Sequence, residues 1–69
     1  MVAIGDRYKE YIVPFPGKFF GWEYVVVGFS SEPYADFADC ERIDSNGKRE
    51  KVGISLELLE EGVFYKKVI

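Results

Sequence analysis

The chain has 69 residues, of which nine are basic and twelve acidic, giving a formal net charge of −3, and it contains one cysteine and no histidine. This composition excludes an internal disulfide and a histidine-containing metal site, and it disfavours non-specific binding to nucleic acid. A chain of this size supports one domain with one small core, which the aromatic residues, 17% of the total, must largely fill.

Turn-forming residues recur along the chain, and the segments between them are rich in β-branched and aromatic residues, which predicts a series of short strands. The first strand spans Arg7–Val13 and ends at Pro14, because proline cannot donate a hydrogen bond to a sheet. A loop over Pro14–Gly21 follows. The second strand, Trp22–Phe29, has apolar side chains on both faces and is therefore expected at the centre of a strongly curved sheet.

The next two strands form a hairpin whose register follows from charge. The predicted segments are a loop over Ser30–Asp36 and strands over Phe37–Asp44 and Lys48–Ile54. A two-residue turn would place Arg42 opposite Lys51, which is a repulsive pair. A three-residue turn over Ser45–Gly47, with its glycine in the left-handed conformation, shifts every pair by one position and is preferred. The pairs that it predicts are Arg42–Glu50, Glu41–Lys51, Cys40–Val52 and Ala38–Ile54.

A short helix and a last strand complete the predicted elements. Ser55 is expected to cap a helix over Leu56–Glu61, its hydroxyl accepting a hydrogen bond from a free amide near the helix start. Gly62 is expected to end that helix in the left-handed conformation. The final strand spans Val63–Val68. No repeat, linker or low-complexity tract suggests a second domain.

This order of elements resembles that of an SH3-like small barrel. In this resemblance, Pro14–Gly21 is the long first loop, Ser45–Gly47 the distal turn and Leu56–Glu61 the short helix before the last strand. Peptide-binding SH3 domains carry an "ALYDY"-like segment and a paired tryptophan, which this sequence lacks, so the proline-groove function is not implied. The chain is closer to the small SH3-like proteins of bacteria and phages, which bind partners and seldom catalyse.

The sequence offers little that could support catalysis. Without histidine, the commonest general base and metal ligand is missing. Cys40 lies within a predicted strand between the acidic Asp39 and Glu41, which favours a buried structural thiol over a reactive thiolate. The segment "GKFFGW" lacks the spacing of a phosphate-binding loop. We therefore expect no enzymatic activity, no catalytic residue, no cofactor and no bound metal.

A protein partner is the favoured ligand, because a small core cannot easily hide all twelve aromatic residues and exposed aromatic side chains are common interface anchors. Most of the aromatic group is expected in the core, with a few members exposed around the first loop. An acidic flank within residues 30–44 either meets a basic partner or serves as a charged edge against aggregation. The candidate partner-binding residues are Phe15, Phe19, Phe20, Trp22, Tyr34, Glu32 and Asp36.

Two alternatives remain open at this stage. The first is a nucleic-acid-binding barrel that uses basic residues with exposed aromatics, although the acidic balance disfavours it; its candidates are Lys48, Arg49, Lys66 and Lys67. The second is a homodimer formed through the aromatic loop.

The unpaired thiol and the lack of a signal peptide or membrane span lead us to expect a cytoplasmic protein. An accessory or inhibitory protein of a phage, bacterium or mobile element would fit the small size.

Overall fold

The structure is a computed structural model that describes residues 1–11, 19–33, 35–44 and 46–68, without the side chains of residues 19–21. It is an all-β protein with one short helix. The five strands are β1 (Arg7–Tyr11), β2 (Phe19–Glu32), β3 (Ala35–Ile43), β4 (Arg49–Ser55) and β5 (Tyr65–Val68), and the helix α1 (Leu56–Glu61) precedes β5. The predicted all-β class, strand number and helix position are confirmed.

The strands form one antiparallel sheet in the order β4-β3-β2-β1-β5. The long strand β2 is central and pairs with β1 and β3. Within the described part of the chain, no strand pairing joins β4 to β5, so the barrel is not closed by hydrogen bonds. Instead, α1 contacts β3, β4 and β5 and spans the gap between the two edge strands.

The core lies on the face of the sheet that α1 covers, here called the inner face. Side chains that are opposite one another on paired strands share a face, and successive residues alternate between faces. The pairs Val26–Cys40 and Cys40–Val52 therefore place these three residues on the inner face. The buried residues are Val2, Tyr8, Tyr24, Val26, Ala38, Cys40, Ile54 and Leu59. Burial of Cys40 agrees with the prediction of a structural thiol.

The β3–β4 hairpin has the predicted register, and all four predicted pairs are present. The amide of Asp44 donates to the carbonyl of Lys48 at 3.1 Å, which leaves three residues between them. Gly47 has φ of 81°, as the three-residue turn requires. One carboxylate oxygen of Asp44 also accepts hydrogen bonds from the amides of Asn46 and Lys48, both at 2.9 Å. The turn and its charge pairs therefore act together to fix the register.

Strand β2 is longer at both ends than predicted. Phe19 pairs with Tyr11 on β1, so residues 19–21 belong to the strand and not to a loop. At the other end, Glu32 pairs with Ala35, so most of the predicted Ser30–Asp36 loop is also strand. An irregularity between Val26 and Gly28 leaves Val27 unpaired against β3, which is a β-bulge. The predicted Ser30–Asp36 loop was wrong because serine and glutamate favour a turn locally, whereas residues 30–32 here pair with β3 across a hairpin.

The last predicted elements are largely confirmed. Helix α1 has the predicted bounds, and Gly62 follows it with φ of 68°. Ser55 stands at the N-cap position, but its side chain makes no capping hydrogen bond, so that prediction was wrong. Ser55 instead ends β4, whose extended backbone leads directly into the helix. Strand β5 begins at Tyr65, two residues later than predicted. The predicted β1 residues 12 and 13 lie outside the described residues.

Candidate functional site

The predicted partner-binding residues do not form one surface. Trp22 lies near the start of β2 and Glu32 at its end, ten positions apart and on opposite sides of the bulge at Val27. At about 3.3 Å per residue, that separation is roughly 30 Å along the strand. Asp36, on β3, lies at the Glu32 end of the sheet. Phe15 and Tyr34 lie outside the described residues, and Phe19 and Phe20 are described only as backbone of β2.

The half-buried Trp22 packs against the core and is covered on one ring face by this chain's own arginine. The guanidinium carbon of Arg42 lies 3.9 Å from the centre of the Trp22 ring. Arg42 also forms an ion pair with Glu50 on β4. The charged group therefore links β2, β3 and β4. Much of the Trp22 surface serves the fold, which leaves less of it for a partner.

A second polar contact lies on the inner face beside Trp22. The hydroxyl of Tyr24 donates to a carboxylate oxygen of Glu10 at 2.6 Å, and the Tyr24 ring meets Tyr65 edge-on with centres 5.5 Å apart. Burial, followed by the hydrogen bond to Glu10, raises the pKa of Tyr24 far above its ordinary value. Tyr24 therefore stays protonated and acts as a hydrogen-bond donor within the fold rather than as an acid or base.

The candidate nucleic-acid-binding residues are separated and engaged. Lys48 and Arg49 belong to the β4 side of the sheet, whereas Lys66 and Lys67 lie on β5 at the opposite edge. The measured pairs are Lys48–Glu50 at 3.6 Å, Arg49–Glu41 at 3.1 Å and Lys67–Asp6 at 3.4 Å. The Lys66 ammonium lies 5.7 Å from the centre of the Tyr11 ring. The structure therefore does not gather these four residues into one basic patch.

Carboxylates gather at the end of the molecule that contains the β2–β3 turn and α1. A cleft between β3 and α1 is lined by Asp36, Ser55, Glu57 and Glu60, among others. The sequence contains no lysine or arginine in residues 19–41 or 52–65, which include both parts of this end. We call this group the acidic pole. Its members are Glu32, Asp36, Glu57, Glu60 and Glu61.

In the described part of the chain, four carboxylates outside the acidic pole form ion pairs, and the other three, Glu10, Asp39 and Asp44, accept hydrogen bonds instead. Within the described residues, none of the acidic pole forms an ion pair, whereas Asp6, Glu23, Glu41 and Glu50 all do. The hydrogen bond from Arg7 lowers the pKa of Glu23, and that from the Ala3 amide lowers the pKa of Asp6. In the pole, Asp36 accepts a hydrogen bond from the Ser31 hydroxyl at 2.8 Å, which leaves its charge uncompensated.

Strand β2 carries two exposed apolar side chains, of which Phe29 is the nearer to the acidic pole. Phe29 and Val27 are 45% and 46% exposed, on either side of Gly28. Phe29 pairs with Ala38, and it therefore shares the inner face with Asp36, its diagonal neighbour. The sequence prediction missed both residues because it assigned them to a core strand. The run of residues 19–41 without a basic side chain was a visible signal, but its meeting with α1 required the fold.

The only cysteine is buried, and the acidic side chains of the described residues do not form a metal-binding cluster. Cys40 is buried, and burial followed by the Asp39 charge raises the pKa of its thiol to about 11. In this part of the chain, no three acidic or cysteine side chains come close enough together to hold a metal ion. No helix of the described segments is long and apolar enough to cross a membrane.

Comparisons of the chain with protein-family models, with curated proteins and with solved structures found no match.

Proposed function

We propose that this protein is a small interaction module that binds the basic surface of a partner protein through its acidic pole and Phe29. The observation that carries the proposal is the segregation of charge. The paired carboxylates lie elsewhere on the molecule, while the pole has neither a basic neighbour in sequence nor an ion pair among the described residues. A field of one sign attracts partners of the opposite sign and speeds their encounter.

Phe29 would supply the apolar part of the contact. Interfaces commonly place an aromatic anchor near their centre with charged groups at the rim, and Phe29 shares the inner face with Asp36. This arrangement retains Glu32 and Asp36 from the sequence prediction and gives less weight to Trp22, which is partly covered by Arg42. One kind of partner that fits this surface is a nucleic-acid-binding protein. The acidic pole would cover the basic face with which such a protein binds nucleic acid.

The proposal is tested by affinity capture from a lysate of the native host, with the captured partner then titrated against purified variants. Glu57→Gln with Glu60→Gln removes two charges from the pole. Glu41→Gln with Glu50→Gln removes the same number from paired positions and serves as the control for net charge. We expect the pole variant to lose at least about tenfold in affinity, and the loss to shrink as salt rises. Phe29→Ala should weaken binding at every salt concentration.

Two results would contradict the proposal. One is equal weakening by the pole variant and the control variant, because net charge alone would then explain the effect. The other is binding of an oligonucleotide by the wild-type protein at low salt, if that binding disappears when Lys66 and Lys67 are changed to glutamine. That result would favour the nucleic-acid-binding alternative.

A further inference from the structure

Strand β4 presents an edge with which no described strand pairs. It pairs with β3 alone, and it lies at the end of the sheet order. Asp44 and Lys48 form a hydrogen-bonded pair, so the even-numbered residues of β4 direct their backbone groups towards β3. The N–H and C=O groups of Arg49, Lys51 and Gly53 therefore point away from the sheet, ready to pair with another strand.

A cleft of about 400 Å³ runs beside this edge on the outer face. Asp39 lies directly between two glycines, opposite Gly28 on β2 and Gly53 on β4. A side chain added at Gly53 would meet no atom within 4 Å, so the space beside Asp39 is open towards the β4 edge. Both oxygens of Asp39 lie on the β2 side: one accepts a hydrogen bond from Ser30 at 2.9 Å, and the other lies 3.6 Å from the position that a Cβ would take at Gly28 and has no hydrogen bond among the described residues.

Lys51 provides the matching charge. It is exposed on the outer face and lines the same cleft, yet it forms no ion pair within 4 Å in the described part of the chain. Its cross-strand neighbour Glu41 is taken by Arg49 at 3.1 Å. The edge therefore contains an unpaired cation, and the Asp39 carboxylate can turn from Gly28 into the open space at Gly53 to meet a second cation.

We propose that a second copy of this chain pairs with the first through β4, in an antiparallel register centred on Val52. In that register Lys51 of each copy is opposite Gly53 of the other, and both residues have outward-directed backbone groups. Neighbouring strands are about 4.8 Å apart, so the backbone of Lys51 in one copy lies about 10 Å from that of Asp39 in the other, with only Gly53 between them. A lysine and a carboxylate can span that distance when no side chain intervenes. Because the dimer has a two-fold axis, the Lys51–Asp39 pair occurs twice.

Two neighbouring registers are disfavoured by charge. Centring the pair on Lys51 would oppose two copies of that lysine, and centring it on Glu50 would oppose Arg49 to Lys51 and Glu50 to itself. Lysine on an edge strand often prevents edge pairing, and here it does so in these registers. The register centred on Val52 avoids both clashes and alone places Lys51 opposite Gly53, and in it Val52 contacts its own copy. The antiparallel arrangement directs the two acidic poles towards opposite ends of the dimer.

The test is the oligomeric state of the whole chain from micromolar to millimolar concentration, measured by sedimentation equilibrium. We expect a reversible dimer that Lys51→Glu weakens at least about tenfold, because the new carboxylate would face Asp39. Lys48→Glu makes the same charge change on the same hairpin, at a residue placed outside the contact, and should have little effect. Lys51→Glu combined with Asp39→Lys should restore dimerisation.

Hydrogen exchange identifies the surface. Protection of the Lys51 and Gly53 amides should rise with protein concentration, whereas the Val52 amide, already bonded to β3, should change less. A monomer throughout the concentration range would overturn the proposal. So would a dimer that Lys51→Glu and Lys48→Glu affect equally, with no concentration-dependent protection at these two amides. Circular dichroism of each variant shows that the fold is retained.

Discussion

The guanidinium of Arg42 stacks on the indole of Trp22, with its central carbon 3.9 Å from the ring centre, while the same group forms an ion pair with Glu50. This one side chain ties the central strand β2 to β3 and β4. In a chain of 69 residues, where the fully buried side chains among the described residues are few and small, such a contact at the margin of the core contributes a noticeable part of the stability.

Replacing Arg42 with alanine should therefore lower the free energy of unfolding by about 1–2 kcal/mol, since both the ring contact and the ion pair are lost. Urea titration followed by Trp22 fluorescence measures the change. Arg42→Lys keeps the charge but loses the planar stacking group, and it should fall between alanine and the wild type. An alanine variant as stable as the wild type would show that the stacked contact contributes nothing.

The helix α1 provides a test of two neighbouring positions. Gly62→Ala should lower the free energy of unfolding by about 1–2 kcal/mol, because alanine resists the left-handed conformation at φ of 68°. Ser55→Ala should change it by less than about 0.5 kcal/mol, because the Ser55 hydroxyl makes no capping hydrogen bond. Thermal and urea unfolding of both variants measures the difference. A larger loss for Ser55→Ala would show that its hydroxyl does cap the helix in solution.

Some features of this structure could be predicted from the sequence, and others could not. The β3–β4 register was predictable because its determinants are local: Gly47 in a three-residue turn and opposite charges on both sides of it. The extent of β2 was not, because residues 19–21 become strand only by pairing with β1 across residues 12–18, whose two prolines and one glycine favour a loop locally. The acidic pole likewise depends on α1 packing near the β2–β3 turn, which no local pattern reveals.

Acid should destabilise the protein through two carboxylates in particular. The pKa values of Glu23 and Asp6 are lowered in the folded state, chiefly by hydrogen bonds from Arg7 and from the Ala3 amide. The folded state then binds fewer protons than the unfolded state, so this stabilisation is present above the unfolded pKa and is lost as pH falls through the lowered one. Glu23→Gln and Asp6→Asn should each flatten the loss of stability below about pH 4.

The acid prediction is checked by urea midpoints measured along a pH series for the wild type and both variants. Glu57→Gln serves as the control, because Glu57 belongs to the acidic pole and forms no ion pair among the described residues. Removing the Glu57 charge should leave the loss of stability at low pH nearly unchanged. Equal flattening by all three substitutions would point to general charge repulsion instead of the two named hydrogen bonds.

Cys40 should resist chemical modification in the folded protein. Only 1% of the residue is exposed, and burial raises the pKa of its thiol to about 11, so the reactive thiolate is both scarce and inaccessible near pH 8. Labelling by iodoacetamide should therefore require opening of the structure and should accelerate with urea in step with unfolding. The urea-unfolded chain is the control for intrinsic reactivity. Rapid labelling in native buffer, at the rate of the unfolded chain, would show instead that the core around β3 opens readily.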